Sequence, residues 1–208
     1  MHITDIRKRR QRLSALYLDG EFAVEIDTEI LQRSGFQVGS EIRDEQLHAL
    51  FLESEQHRAN EKALYLLERR NHSKKELAEK IQRQSTRAAA QAAVERMETL
   101  GLVNDEDYAQ RYAADLLCRK GYGRRRVQYE LQQKGIDKEI AERVIAELEP
   151  DPVGKITELI ERKYARHLQD EKGFRRAVNG LQRYGYCYED IRHAMAAFTE
   201  VLAEEDSI

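Results

Sequence analysis

Five cations in a run that holds no acid are the residues of this chain best suited to chemistry. Arg119, Lys120, Arg124, Arg125 and Arg126 lie within residues 116 to 129, where no Asp or Glu occurs, and Tyr122 and Tyr129 are interleaved with them. Cationic side chains at this density can hold phosphate oxygens or an acidic protein surface, and the tyrosine rings can either stack on bases or enter a core. Weaker echoes stand on either side. Lys74, Lys75, Lys80 and Arg83 precede the cluster; Arg162, Lys163, Arg166, Arg175, Arg176 and Arg183 follow it, with Tyr184, Tyr186 and Tyr188. The candidate contacts to a partner or nucleic acid are therefore Arg119, Lys120, Tyr122, Arg124, Arg125 and Arg126, with Lys74, Lys75, Arg175 and Arg176 as counterparts.

Other chemistries lack their residues. Asp105, Glu106 and Asp107 are consecutive; on a helix they point in different directions and cannot converge on one ion, so they read as capping residues at the positive end of the helix dipole. His2, His48, His57, His72, His167 and His193 show no HExxH or His-x-x-x-His spacing and read as surface residues. Cys118 and Cys187 stand far apart without partners at metal-ligand spacing, which suits a reducing compartment. No phosphate-binding glycine loop and no nucleophile elbow occurs. The expectation is a binding protein rather than an enzyme, with no catalytic residue, metal or cofactor.

The elements that must position the cations follow from a repeat. Val127 and Leu131 lie four apart on one helical face and precede Gly135; fifty residues upstream stand Leu77, Ile81 and Ser85, and fifty downstream Ala177, Leu181 and Gly185. Self-similarity of this size signals stacked supersecondary units. Each unit reads as three helices. In the first, Ala63, Leu64 and Leu67 make one stripe, Ser73-Lys-Lys-Glu76 forms a capping box before Leu77 and Ile81, and Ala93, Val94 and Met97 lead to a stop at Gly101. In the second, Asn104 or Asp105 caps a helix carrying Tyr108, Tyr112, Leu116 and Leu117, Gly121 and Gly123 break it, and Asp137 caps the third helix with Ala141, Val144, Ile145 and Leu148. The third opens on Asp151 with Pro152 at the first helical position, and its stripes are Ile156, Leu159, Ile160 and Tyr164, then Ala177 and Leu181, then Ile191, Ala194, Met195 and Phe198.

Before the repeats, Leu16 and Leu18 precede Asp19-Gly20, and Phe22, Val24 and Ile26 follow it. That is a β-hairpin with one apolar face, and Ile3 and Ile6 can belong to a preceding strand. Ile30, Leu31, Phe36, Val38, Leu47, Leu50 and Phe51 supply its cover. The fold class is thus mainly α: three tandem three-helix-bundle repeats in an elongated array, preceded by a small β-hairpin-plus-helix cap. The expected divisions are 1–58 for the cap, then 59–103, 104–150 and 151–208 for the repeats.

Hydrophobic residues make up 41% of the chain and charged residues 35%, which suits thin amphipathic helices better than one deep core. The net charge of −3 argues against coating nucleic acid through bulk positive charge, but it averages over segregated patches. The start of the chain is too polar for a signal peptide, and no apolar run reaches membrane-spanning length, so the expected location is cytoplasmic.

The stretch NDEDYAQRYAADLLCRKGYGRRRVQYELQQKGI, from Asn104 to Ile136, resembles the signature of the RecX family of recombination regulators. An acidic helix start, an aromatic residue, an arginine, a glycine, a basic run, Glu-Leu and Lys-Gly-Ile follow in that order. ALYLLERRNHSKKELAEKI resembles the first repeat of the family, with Ser85 standing where the later repeats have glycine, and YLDGEFAVEI resembles an N-terminal extension of some members. The resemblance implies tandem three-helix repeats that bind the RecA recombinase. It also implies a monomer that modulates RecA in DNA repair, mostly by inhibiting its filament on single-stranded DNA, strand exchange and ATP hydrolysis. The alternative is a stand-alone DNA-binding protein that uses the basic second helices. The arginine run favours it, and the near-neutral total charge opposes it.

Overall fold

The computed structural model describes residues 1–10, 12–148, 151–168 and 171–205. The chain divides into two compact units, Met1–Asn104 and Asp105–Ile208.

Unit 1 opens on an antiparallel sheet of β1 (Ile3–Lys8), β2 (Leu13–Leu18) and β3 (Glu21–Asp27), in that spatial order. The Asp19-Gly20 turn is formed as expected, with φ of 49° and 93°, the paired positive values of a tight hairpin. Ile3 and Ile6 belong to a full third strand, pairing with Leu18 and Leu16 of β2. The single apolar face expected of β3 is not continuous. A bulge lets Leu16 pair with Val24 but Tyr17 with Phe22, so Phe22 turns to the face opposite Val24 and Ile26, where it is 57% exposed and meets the Tyr17 ring edge-on at 5.9 Å. An extra residue in a strand shifts the two-residue alternation by one, which re-aims the side chains beyond it.

Two helices cover the sheet. Asp27 caps α1 (Thr28–Ser34) by accepting from the Glu29 and Ile30 N–H groups, and Gly35 ends it with φ 73°. α2 (Asp44–Arg69) then runs unbroken for 26 residues through positions 58 and 59, where a division was expected, because no glycine or proline interrupts it. Its first half joins the core of Ile3, Leu16, Ile26, Ile30, Leu31 and Ile42 through Leu50. Its second half joins α3 (Lys74–Gln82) and α4 (Arg87–Thr99) in the first three-helix core through Ala59 and Ala63. Leu64, expected in that core, is 47% exposed. It lies about 100° round the helix from Ala63, off the narrow alanine seam that lets α4 approach.

Unit 2 holds two further three-helix groups. α5 (Asp105–Ala114), continued by one π-helical turn (Asp115–Arg119), packs with α6 (Arg124–Gln133) and α7 (Lys138–Leu148) around Leu116, Val127, Leu131 and Val144. α8 (Pro152–Lys163), α9 (Glu171–Tyr184) and α10 (Tyr188–Glu205) pack around Ile156, Ile160, Leu181 and Ile191. Asp151 caps α8 through the Gly154 N–H at 2.9 Å, with Pro152 in the first turn as expected. The residues aligned by the repeat behave alike: Leu77, Val127 and Ala177 are fully buried, as are Ile81, Leu131 and Leu181. Gly135 and Gly185 end their helices at φ 81° and 94°. The turn at Ser85 does without a positive φ, since α3 closes at Arg83 in the right-handed region and Thr86 immediately caps α4.

Two histidines depart from the surface reading: His57 is half-buried and His72 is buried. His72 is 3% exposed, with Nδ1 3.1 Å from a carboxylate oxygen of Glu76, next to Ser73, whose hydroxyl accepts from the Glu76 N–H as the capping box requires. Asn71-His72 is the tight link between α2 and α3, and burying the ring closes that corner. Burial pushes the His72 pKa below its ordinary value, opposed by the bond to Glu76 and assisted by the nearby Arg70 charge. A native pKa below the unfolded one means that the unfolded chain takes up the extra proton, so stability falls as pH drops through the unfolded value. Thermal melts between about pH 7.5 and about pH 5.5 should therefore show a midpoint that falls on acidification, with a shallower slope in His72→Gln. Equal slopes would remove His72 from the pH response.

Candidate partner-binding surface

The arginine run is built by the joint between α5 and α6. The π-helical turn turns both Leu116 and Leu117 inward while Cys118 and Arg119 stay exposed. Gly121, at φ 65°, then reverses the chain. α6 starts at Gly123 without a side-chain cap. Backbone from the end of α9 takes that place: the Gly123 N–H donates to the Tyr184 carbonyl at 2.8 Å and the Arg125 N–H to the Gly185 carbonyl at 3.1 Å. The negative end of α9 thus meets the positive end of α6, which offsets the unfavourable placing of three arginines in a first helical turn. The approach is close enough to exclude side chains. A Cβ on Gly123 would stand 2.6 Å from the Gly185 carbonyl carbon, and one on Gly185 would stand 2.4 Å from Arg126 Cβ.

Arg124, Arg125 and Arg126 are all exposed, so none enters the core. Their surroundings differ. Arg126 reaches Glu130 at 3.4 Å and lies over the Tyr122 ring at 4.7 Å, whereas Arg125 has no ion pair among the described residues. Arg119 makes a two-point contact with Asp115, Nε to Oδ1 at 2.6 Å and an Nη to Oδ2 at 3.0 Å, and this bond holds the Asp115 carboxyl below its ordinary pKa. The acid-free window is thus flanked by acids that reach into it by one helical turn, a pairing legible as Asp115/Arg119 and Arg126/Glu130 at i,i+4.

The tyrosines take three positions. Tyr129 and Tyr188 are exposed, Tyr186 is buried with its hydroxyl donating to the Gly121 carbonyl at 3.2 Å, and Tyr122 and Tyr184 are half-buried. Their rings meet edge-on at 6.0 Å, with Lys120 beside Tyr122 and Lys163 over Tyr184. Lys163 also donates to the Tyr184 hydroxyl at 2.8 Å and holds its pKa below the usual tyrosine value. Lys120, Tyr122, Arg126, Tyr184 and Lys163 form one cationic and aromatic ridge, of which sequence reasoning identified the first three and placed the others in a weaker echo.

On α9 a shallow open groove is lined by Lys172, Arg175, Arg176, Asn179, Gln182 and Arg183. Arg175 pairs with Glu171 at 2.6 Å, while Lys172, Arg176 and Arg183 form no ion pair among the described residues. Lys74 and Lys75 lie in unit 1; Lys74 pairs with Glu98, and Lys75 is exposed.

A family model for the second three-helix domain of RecX matches residues 104–145, the stretch that carries the π-helical turn and the arginine run. Over 203 residues the chain is 32% identical to the regulatory protein RecX of Caldanaerobacter subterraneus subsp. tengcongensis, covering 94% of this chain and 98% of that one. The chain belongs to the RecX family. Regulatory protein RecX of Clostridium beijerinckii is 29% identical over 148 residues, covering 71% of this chain and 68% of its own length. A crystal structure of a regulatory protein RecX superposes with a TM-score of 0.69 at 18% identity, over 94% of this chain and 98% of that one. RecX from Lactobacillus salivarius does so at 0.61 and 22%, over 69% and 96%. At those identities the two structures speak for the RecX fold. The mainly helical repeat architecture with its small N-terminal sheet is therefore a RecX architecture, and the relatives are named as regulators. No helix among the described residues is long and apolar enough to cross a membrane.

Proposed function

We propose that this RecX-family chain regulates the RecA recombinase by docking on the RecA filament formed on single-stranded DNA and inhibiting its ATP hydrolysis and strand exchange. The observation that carries the reading is the set of exposed cations in unit 2 that form no ion pair among the described residues, Arg125 on α6 and Lys172, Arg176 and Arg183 on α9. Leaving cations unpaired in a chain with 38 acidic residues favours an anionic partner surface over self-pairing. The same residues can reach the DNA within the filament, so direct DNA contact belongs to this reading.

The test is RecA ATP hydrolysis on single-stranded DNA, titrated with this protein while free DNA is raised to saturating excess. Inhibition that persists under excess DNA supports docking on the filament. Inhibition that disappears in proportion to free DNA supports instead a DNA-binding protein for which RecA is irrelevant.

A further inference from the structure

His57 and Glu61 stand one turn apart on α2, on the side that faces the junction of β3 and α1. Asp27 sits at that junction, 2% exposed, with its own N–H donating to Ser54 Oγ at 2.7 Å. His57 Nδ1 lies 3.6 Å from Asp27 Oδ1, beyond hydrogen-bonding distance. It is also the one buried side-chain nitrogen or oxygen among the described residues that has no hydrogen-bond partner. A buried ring nitrogen left in this way has lost its water without gaining a hydrogen bond in return. Around it, one donor atom each from Asp27, His57 and Glu61 lies within 4.8 Å of the others. The Glu29 carboxylate stands 3.9 Å from His57 Nε2.

We propose that Asp27, His57 and Glu61 form a binding site for a divalent transition-metal cation of the zinc class. One imidazole nitrogen and two carboxylate oxygens are ligands that zinc accepts, whereas magnesium and calcium take oxygen alone. Around zinc, ligand atoms about 2.1 Å from the ion stand about 3.4 Å apart, so the present set closes by roughly an ångström. On binding, that closure would fall to the His57 and Glu61 side chains, since Asp27 is held as the cap of α1. Glu61 lies at the rim, 43% exposed, and borders an open pocket, which leaves the fourth position to water. Arg12 currently reaches Glu61 with two contacts of 2.9 and 3.1 Å, so it competes with the ion for that carboxylate. The histidine spacing suggested no such site because Asp27 is far away in sequence and reaches His57 only through the fold. Bound metal would clamp the sheet to α2 independently of the basic surface of unit 2.

The probe is Zn2+ itself, titrated into the full chain against a chromophoric chelator, with Co2+ absorption reporting the ligand geometry. One saturable equivalent is expected, unaffected by excess Mg2+, together with a higher thermal midpoint on loading. His57→Gln and Glu61→Gln should each weaken affinity by more than about tenfold. Arg12→Ala should tighten it. His2→Gln, at an exposed histidine elsewhere, should leave it unchanged. Absence of saturable Zn2+ binding, unchanged affinity in Glu61→Gln, or loss in His2→Gln alone would overturn the site. Because Glu61 is exposed, its variant folds and keeps the test decisive if His57→Gln does not.

Discussion

Replacing Arg124, Arg125 and Arg126 together with Glu is expected to weaken docking on the RecA filament by about a hundredfold, roughly 3 kcal/mol, while the protein stays folded. All three side chains are exposed, so no core contact is lost. Acidic residues in a first helical turn interact favourably with the helix dipole, which offsets part of the repulsion that a Glu at position 126 would feel from Glu130. The loss should not be shared equally. Arg126 is already engaged by Glu130 and Tyr122, whereas Arg125 has no ion pair among the described residues, so Arg125→Glu alone should account for more of it than Arg126→Glu. Salt should act in the same direction in the wild type, because exposed charges are screened beyond a Debye length of about 8 Å. The measurement is the concentration needed to suppress filament ATP hydrolysis, with circular dichroism as the control for folding. A folded triple variant that inhibits at wild-type concentrations would show that the arginine run is only a solvated face.

The second large effect is expected at Gly185. Its φ of 94° is one that side-chain-bearing residues rarely adopt, and an added Cβ would stand 2.4 Å from Arg126 Cβ and 2.5 Å from Arg126 N. Gly185→Ala should therefore destabilise unit 2 by roughly 2–5 kcal/mol, combining backbone strain with overpacking. Two other glycines separate the causes. Gly39 has a similar φ of 91° with nothing within 4 Å of an added Cβ, so Gly39→Ala reports strain alone. Gly123 has an ordinary φ of −82° but meets Gly185 backbone at 2.6 Å, so Gly123→Ala reports the close approach alone. Urea denaturation of the three variants gives the comparison. If Gly185→Ala costs no more than Gly39→Ala, the close approach between α6 and the end of α9 does not contribute.

Local patterns carried much of this fold. The fifty-residue spacing picked out Leu77, Val127 and Ala177, and Ile81, Leu131 and Leu181, all buried, and Asp19-Gly20 marked its hairpin, because both depend on neighbours along the chain. The misses share the opposite character. The flip of Phe22 needs an unpaired residue opposite β2, the burial of His72 needs the corner between α2 and α3, and the exposure of Leu64 depends on which side α4 approaches. None of these is visible at helical or strand period. At the candidate site, exposure of the arginines was foreseeable from their crowding in one turn. Their partial neutralisation by Asp115 and Glu130 was readable at i,i+4 but fell just outside the window considered. The contact of Gly123 with the Tyr184 and Gly185 carbonyls leaves no trace in side-chain patterning, since both sides of it are backbone.

That last contact separates what holds unit 2 together from what its surface can recognise. The joint between the second and third three-helix groups rests on main-chain N–H and C=O groups and two glycines, with Tyr186 and the Tyr122–Tyr184 ring pair beside them, so the bonds themselves do not depend on which cations project nearby. Arg124, Arg125 and the cations of α9 can be exchanged one by one without loosening it. Descendants of such a chain can therefore retune their affinity for a changing partner at little architectural risk, provided that both glycines persist.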